Sequence, residues 1–300
     1  MVKFPFLLLL IYRYFLINGI HYGKIISRSL PDSTVIIVIR KNNDEVGYCG
    51  GNLLSNKLVV TAAHCVNEIK NSKQINIMKG YKDFPLSINK QDIKRKIKIL
   101  WIEIHPSYQK YSLSASYDVA LIGIDGFDDC CSEDLESSSI AVLPFNLNDG
   151  KNIINKHFIS CFIIGRGKTE KGFLANQLRG IIYKKPLLYK YKNITNFIGY
   201  YENLTLESGK FDEGDSGNGL YCNSNNQTYL IGIASSCFYT NMKEKIIDIN
   251  TFAITFSENI KLFLLNVIKR KNFIDNITIL GEKCIRNNKS MGEIYNHMLT

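Results

Sequence analysis

Apolar residues in this chain come in short runs separated by polar, glycine-bearing turns, and that spacing limits the fold more than any other feature. Runs at 35–39, 57–60, 97–104, 119–124, 161–164, 178–182 and 230–234 have the length of strands. Many short strands with few helical patterns between them predict an all-β barrel or sandwich rather than a parallel α/β sheet. One segment reads as a helix: over 257–268, Ile260, Phe263, Leu264 and Val267 fall at i, i+3, i+4 and i+7 and form a single apolar stripe fit to dock on a barrel. The stretch 125–139 is rich in Asp, Glu and Ser, lacks a core pattern and reads as a linker between two blocks of strands. Beyond the helix, 269–300 is polar and reads as an appended tail.

Near the start, Lys3 precedes an apolar run over 4–17 that Arg13 interrupts and that closes on small or polar residues. This predicts a secretory signal peptide over 1–19, because a membrane helix needs about 20 mostly uncharged residues. Secretion also suits the eight cysteines and the Asn-x-Ser/Thr acceptors at Asn193, Asn203, Asn226, Asn276 and Asn288. The formal net charge of +10 is spread along the chain. Its dense segment, Lys90, Lys94, Arg95, Lys96 and Lys98, reads as a solvated face. No zinc-ligand spacing, phosphate loop or nucleic-acid module accompanies it, so neither nucleic acid nor membrane is expected as a partner.

Three segments each supply one part of a serine-nucleophile machine, in the order histidine, aspartate, serine. In Val59-Val-Thr-Ala-Ala-His64-Cys65 an apolar strand delivers an imidazole beside a cysteine; Cys49 sits 16 positions upstream. Closing that loop would contribute roughly 3 kcal/mol and hold His64 where it can take a proton. In Tyr117-Asp118-Val-Ala-Leu-Ile122 an acid heads an aliphatic strand, a costly place unless a donor such as an imidazole N–H meets it. In Glu213-Gly-Asp-Ser216-Gly217 glycines allow a tight backbone, and the N–H groups of Gly214 and Ser216 would form an oxyanion hole beside the hydroxyl. Gly-Asp-Ser-Gly is expected by accident only about 0.002 times in such a chain, and here it has two ordered companions.

With Cys49-Gly-Gly, Thr61-Ala-Ala-His-Cys65, His105-Pro-Ser-Tyr108, Asp118-Val-Ala-Leu121 and Gly214-Asp-Ser-Gly217, the chain resembles the trypsin/chymotrypsin family over about 20–268. The resemblance implies two antiparallel six-stranded β-barrels with the active site between them, and a C-terminal helix. The N-barrel would span about 20–125, the linker 126–145, the C-barrel 146–256, the helix 257–268 and the extension 269–300. It implies a secreted, monomeric serine endopeptidase with the triad His64, Asp118 and Ser216, no cofactor, protein or peptide substrates and protease inhibitors as partners; no metal is expected, because Tyr81 follows Gly80 where the calcium loop of vertebrate-type trypsins would place its first carboxylate and the region onward is basic. A second disulfide, Cys161 to Cys222, follows from the same likeness, which also places His105 in a surface segment. Asp215 would receive a new N-terminal ammonium, from Ile20 after Gly19 or from Ile25 after Lys24.

The chain departs from the family at the substrate pocket. Lys210 and Ser235 would line it, and Lys210 replaces the aspartate that selects basic side chains in trypsins, so Asp or Glu becomes the expected preference. Asp212 stands in place of a cysteine, Ser236-Cys237 in place of an aromatic-glycine pair and Arg166 in place of a tryptophan. Cys130, Cys131, Cys237 and Cys284 leave three possible pairings. These departures keep a second reading open, a secreted homologue that binds without cleaving.

Overall fold

The protein is described from a computed structural model. It covers residues 23–25, 33–40, 45–78, 97–110, 115–127, 141–145, 161–168, 175, 178–183, 197–203, 212–224, 227–242 and 245–272. The signal segment 1–19, Ile20, Lys210, Cys130, Cys131, Cys284, most of the linker and the tail beyond 272 lie outside the described residues.

Two antiparallel sheets carry the fold. The strands are β1 (Lys24–Ile25), β2 (Thr34–Arg40), β3 (Val46–Ser55), β4 (Leu58–Thr61), β5 (Ile75–Met78), β6 (Ile99–Ile104), β7 (Ala120–Ile124), β8 (Cys161–Gly165), β9 (Arg179–Tyr183), β10 (Phe197–Asn203), β11 (Gly219–Ser224), β12 (Gln227–Met242) and β13 (Lys245–Ile254). The first sheet runs β5-β2-β3-β4-β7-β6 and the second β1-β9-β8-β11-β12-β13-β10. This fits the two-barrel architecture, with one correction: the second sheet has seven strands, not six, because β1 pairs Lys24 with Gly180 and Ile25 with Arg179. A two-residue strand is below the length at which alternation can be read.

The aliphatic runs become strands because both faces or one face can be buried. All five residues of β7 and all four of β4 are buried, and Leu58, Val59, Val60, Leu121 and Ile122 have no exposed surface. One apolar cluster joins these to Phe162, Ile164, Leu230 and Ile233 of the second sheet, so the sheets share a core. The end of the linker crosses between them: the Ala141 N–H donates to the Leu53 carbonyl and the Leu230 N–H to that of Val142.

Two helices follow from local chemistry. The short α1 (Ala63–Val66) begins where β4 ends, and α2 (Glu258–Arg270) ends two residues beyond the expected 268. Its stripe docks as read, with Ile260, Leu264, Val267 and also Ile268 buried. Glu258 in the first turn and Lys269 and Arg270 in the last complement its dipole, and Arg270 reaches Glu103 of β6 at 3.0 Å. His105 corrects an expectation: it is buried, not on the surface, stacked on Tyr117 at 4.8 Å and tilted against Phe263 of α2 at 4.9 Å. Burial favours its neutral form, lowering its pKa against the opposing backbone hydrogen bond with Asn259.

Because Ile122 is wholly buried in β7 between β4 and β6, Ile122→Ala should lower stability by about 3 kcal/mol. Urea unfolding of the purified protein checks this, and a loss below about 1 kcal/mol would mean that the sheets do not share a tight core there.

Candidate active site

Asp118 is placed by a single 3₁₀ turn, Ala115–Tyr117, immediately before β7. Its carboxylate is buried and receives three donors. His64 Nδ1 lies 2.7 Å from Oδ2, the His64 backbone N–H donates to Oδ1 at 2.8 Å, and Ser235 Oγ donates to Oδ2 at 2.6 Å. The backbone donor comes from the first turn of α1, where N–H groups have no partner inside the helix. One carboxylate therefore fixes the helix start and the imidazole together. Its bond is to Nδ1 and leaves Nε2 outside the pair, on a side chain 34 % exposed against 5 % for Asp118.

Burial alone would raise the Asp118 pKa, but the hydrogen bond and charge of His64, with the Ser235 hydroxyl and the His64 N–H, outweigh it and hold the carboxyl below its ordinary value. The neighbouring Tyr108 shows the other sign: burial, then the charges of Asp118 and Glu68, push its hydroxyl up to about 12.

Ser235 was expected in the substrate pocket; its hydroxyl is committed to Asp118. The β12–β13 register slips between Ala234 and Ser236, so Ser235 is the extra residue of a bulge, which turns its side chain away from the regular alternation. Sequence alone could not reveal this, because a bulge depends on the partner strand.

Ser216 sits in the turn between residue 212 and β11. Gly214 and Gly217 have φ of +96° and +86°, the left-handed region that favours glycine. A Cβ on Gly217 would also overlap the Gly50 carbonyl and Thr61 Oγ1. The turn is seated on the first sheet: the Gly50 N–H donates to the Ser216 carbonyl at 2.7 Å, and Thr61 Oγ1 donates to the Gly50 carbonyl at 2.7 Å. The Cys49–Cys65 disulfide, with Cα atoms 6.2 Å apart, flanks both parts of the site. Cys65 Sγ lies 3.7 Å from His64 Nε2 and 3.8 Å from the Ser216 carbonyl oxygen. No hydrogen bond joins the Ser216 hydroxyl to His64 among the described residues, and neither the Gly214 nor the Ser216 N–H is taken by a protein acceptor there.

Asp215 is fully buried. Its carboxylate accepts from the Gly167 N–H at 2.7 Å, the Asp212 N–H at 3.1 Å and the Asn218 amide at 3.3 Å. Asp212, where the family carries a cysteine, closes the turn instead: its carboxylate accepts the Glu213 N–H at 2.6 Å and its carbonyl the Asp215 N–H at 2.9 Å. Ile25 is 42 % exposed in β1. Cys161–Cys222 is formed, bridging β8 and β11, and Cys237 is half-buried on β12 outside both disulfides. Cys49, His64 and Cys65 bring ligand-type atoms within 4.8 Å of one another, but both sulfurs are spent in the disulfide and offer no thiolate to a metal ion.

The depressed Asp118 pKa makes a pH prediction. A carboxyl whose folded pKa lies below the unfolded one stabilises above the unfolded value and loses that contribution as pH falls through the folded value. Asp118→Asn should therefore destabilise by roughly 1–3 kcal/mol at neutral pH, and the gap to wild type should close as pH drops below the ordinary carboxyl value of 3.8. Thermal unfolding across pH checks it; a gap independent of pH would show that the ionised carboxylate is not what holds the site.

The family described as Trypsin matches residues 30–259. Chymotrypsin-like elastase family member 1 of Bos taurus is 28% identical over 221 residues, 71% of this chain and 77% of the relative. The same protein of Homo sapiens is 26% identical over 220 residues, 71% and 79% of the two chains. Coagulation factor XI of Bos taurus is 27% identical over 204 residues, 62% of this chain and 29% of the relative. With two antiparallel sheets, a C-terminal helix and a family match over most of its length, the chain belongs to the trypsin family.

Proposed function

We propose that the protein is a secreted serine endopeptidase in which Ser216 is the nucleophile, His64 the general base and Asp118 the residue that orients and stabilises His64. The observation that carries this is the bond between Asp118 Oδ2 and His64 Nδ1 at 2.7 Å. It sets the tautomer that leaves Nε2 free to accept a proton. Ser216 Oγ attacks the substrate carbonyl carbon and its proton passes to Nε2. The oxyanion that forms takes the N–H groups of Gly214 and Ser216, whose hydrogens no protein acceptor claims among the described residues. His64 then gives the proton to the leaving amine as the C–N bond breaks. Water, deprotonated by the same imidazole, attacks the acyl-enzyme and releases the second product. Protein substrates and inhibitors follow from the family. Secretion is supported by the apolar N-terminal run and by the two disulfides, and no helix among the described residues is long and apolar enough to cross a membrane.

Of the two starts, Ile20 fits the fold better. A terminus at Ile25 would remove Gly23, whose carbonyl Arg179 contacts at 3.5 Å, and Lys24, which pairs with Gly180. A terminus at Ile20 keeps β1 whole and leaves four residues ahead of it, able to span about 13 Å. Lys24 shares a cross-strand row with Gly180 and Ile164, near the Gly165–Gly167 segment that packs on Asp215.

Two measurements test the reading. A fluorophosphonate probe should label the secreted protein, and Ser216→Ala should abolish the labelling; a wild type that stays unlabelled after mild activating proteolysis would turn the reading to the non-cleaving homologue. N-terminal sequencing of the labelled form should begin at Ile20, and a start at Ile25 or beyond would overturn that assignment.

A further inference from the structure

The two peptides that follow the nucleophile have four polar groups, and each is occupied. The Ser216 carbonyl accepts from the Gly50 N–H at 2.7 Å, the Gly217 N–H donates to Ala234 at 2.8 Å and the Asn218 N–H to Asp215 at 3.0 Å. All of these are backbone bonds. The fourth group, the Gly217 carbonyl, is instead held by a side chain, with Asn52 Nδ2 donating at 2.9 Å. Gly217 lacks a Cβ and sits at φ +86°, so backbone sterics alone do not fix the orientation of its carbonyl.

Behind Asn52 stands a buried hydroxyl chain whose direction is imposed by that carbonyl. Because a carbonyl can only accept, the Asn52 NH₂ must face Gly217, and Oδ1 must face away and accept. Tyr221 Oη supplies the hydrogen at 2.8 Å. With that hydrogen spent, the close contact between Tyr221 Oη and Ser33 Oγ is donated by the serine. Ser33 and Asn52 have no exposed surface and Tyr221 has 2 %. The Leu53 N–H donates to the Ser33 carbonyl at 2.7 Å, which locks the far end of the chain to the residue after Asn52. Asn52 lies on β3 and Ser33 immediately before β2, whereas Tyr221 lies on β11 and Gly217 in the turn that leads into it, so each step of the chain links residues of the first sheet's side to residues of the second's. On β3, Gly50 and Asn52 are two residues apart and secure consecutive carbonyls of the turn.

We propose that Asn52 and Tyr221 are positioning residues: through the Gly217 carbonyl, the chain Ser33–Tyr221–Asn52 fixes the turn that aims the Ser216 hydroxyl and its N–H. This rests on the reading of Ser216 as nucleophile. A buried polar chain could serve stability alone, and the two roles separate when all three side chains are replaced by apolar groups of similar shape, a change whose stability cost is confined to the one carbonyl, that of Gly217, left without its donor. The triple variant Ser33→Ala/Asn52→Leu/Tyr221→Phe should stay folded, with a melting temperature lowered by no more than one unmet carbonyl accounts for. It should react with a fluorophosphonate at least tenfold more slowly and lose kcat on a peptide substrate with little change in KM. Hydrogen exchange at the Gly217 and Asn218 amides should rise. The milder Tyr221→Phe, which keeps the Asn52–Gly217 bond, should show the same changes to a smaller degree and covers failure of the triple variant to fold. Wild-type labelling rate and exchange in a variant whose melting temperature has dropped would overturn the proposal. If wild type itself fails to label, the nucleophile reading fails separately, and exchange at 217–218 still decides whether the chain positions the turn.

Discussion

A buried carboxylate cannot be left without donors, and Asp118 takes its donors from both halves of the molecule. Two come from α1, which the first sheet launches, and one from Ser235 on the second sheet. Removing a buried charge from water costs several kcal/mol unless it is paired and hydrogen-bonded. The position of α1, the packing of the sheets and the β12 bulge must therefore all be in place for Asp118 to be ionised where it lies. The same bonds set the imidazole, so the requirement that assembles the site is also the one that orients His64, the proposed base.

The serine turn adds a second crossing, and the Cys49–Cys65 disulfide links the two. Cys49 immediately precedes Gly50, whose N–H holds the Ser216 carbonyl, and Cys65 immediately follows His64. One covalent bond thus joins the strand that seats the Ser216 turn to the helix that carries His64. A change in the spacing of β3 and α1 would move both groups, which is why this bridge matters to geometry as well as to chain entropy.

What could be read from the sequence was set by how local its cause was. Strands such as β4 and β7 announce themselves because unbroken aliphatic runs have no other stable place. Strands β3 and β11, with the sequences VGYCGGNLLS and GLYCNS, give no such signal, since their glycines, cysteines and polar residues answer to the turn and disulfide they contact. His64, Asp118 and Ser216, the proposed triad, stand out in the sequence because each sits in a short motif. Ser235, Asn52 and Tyr221 do not, because what they do is decided by residues more than a hundred positions away. His105, placed in a surface segment by the family likeness, is instead covered by the nearby Tyr117 and by Phe263 of the distant α2.

The Asp212 turn shows how the chemical centre keeps its shape where the family's cysteine is missing. Its bonds to Glu213 and Asp215 span four residues, and bonds that local constrain only the residues they join. A disulfide to a distant strand would have constrained the chain leading into the turn as well. Among the described residues, Asp215 and Ser216 are secured from within the turn, from Gly167 and from β3. The turn that carries the proposed nucleophile is therefore held on three sides by hydrogen bonds that need no cysteine at position 212.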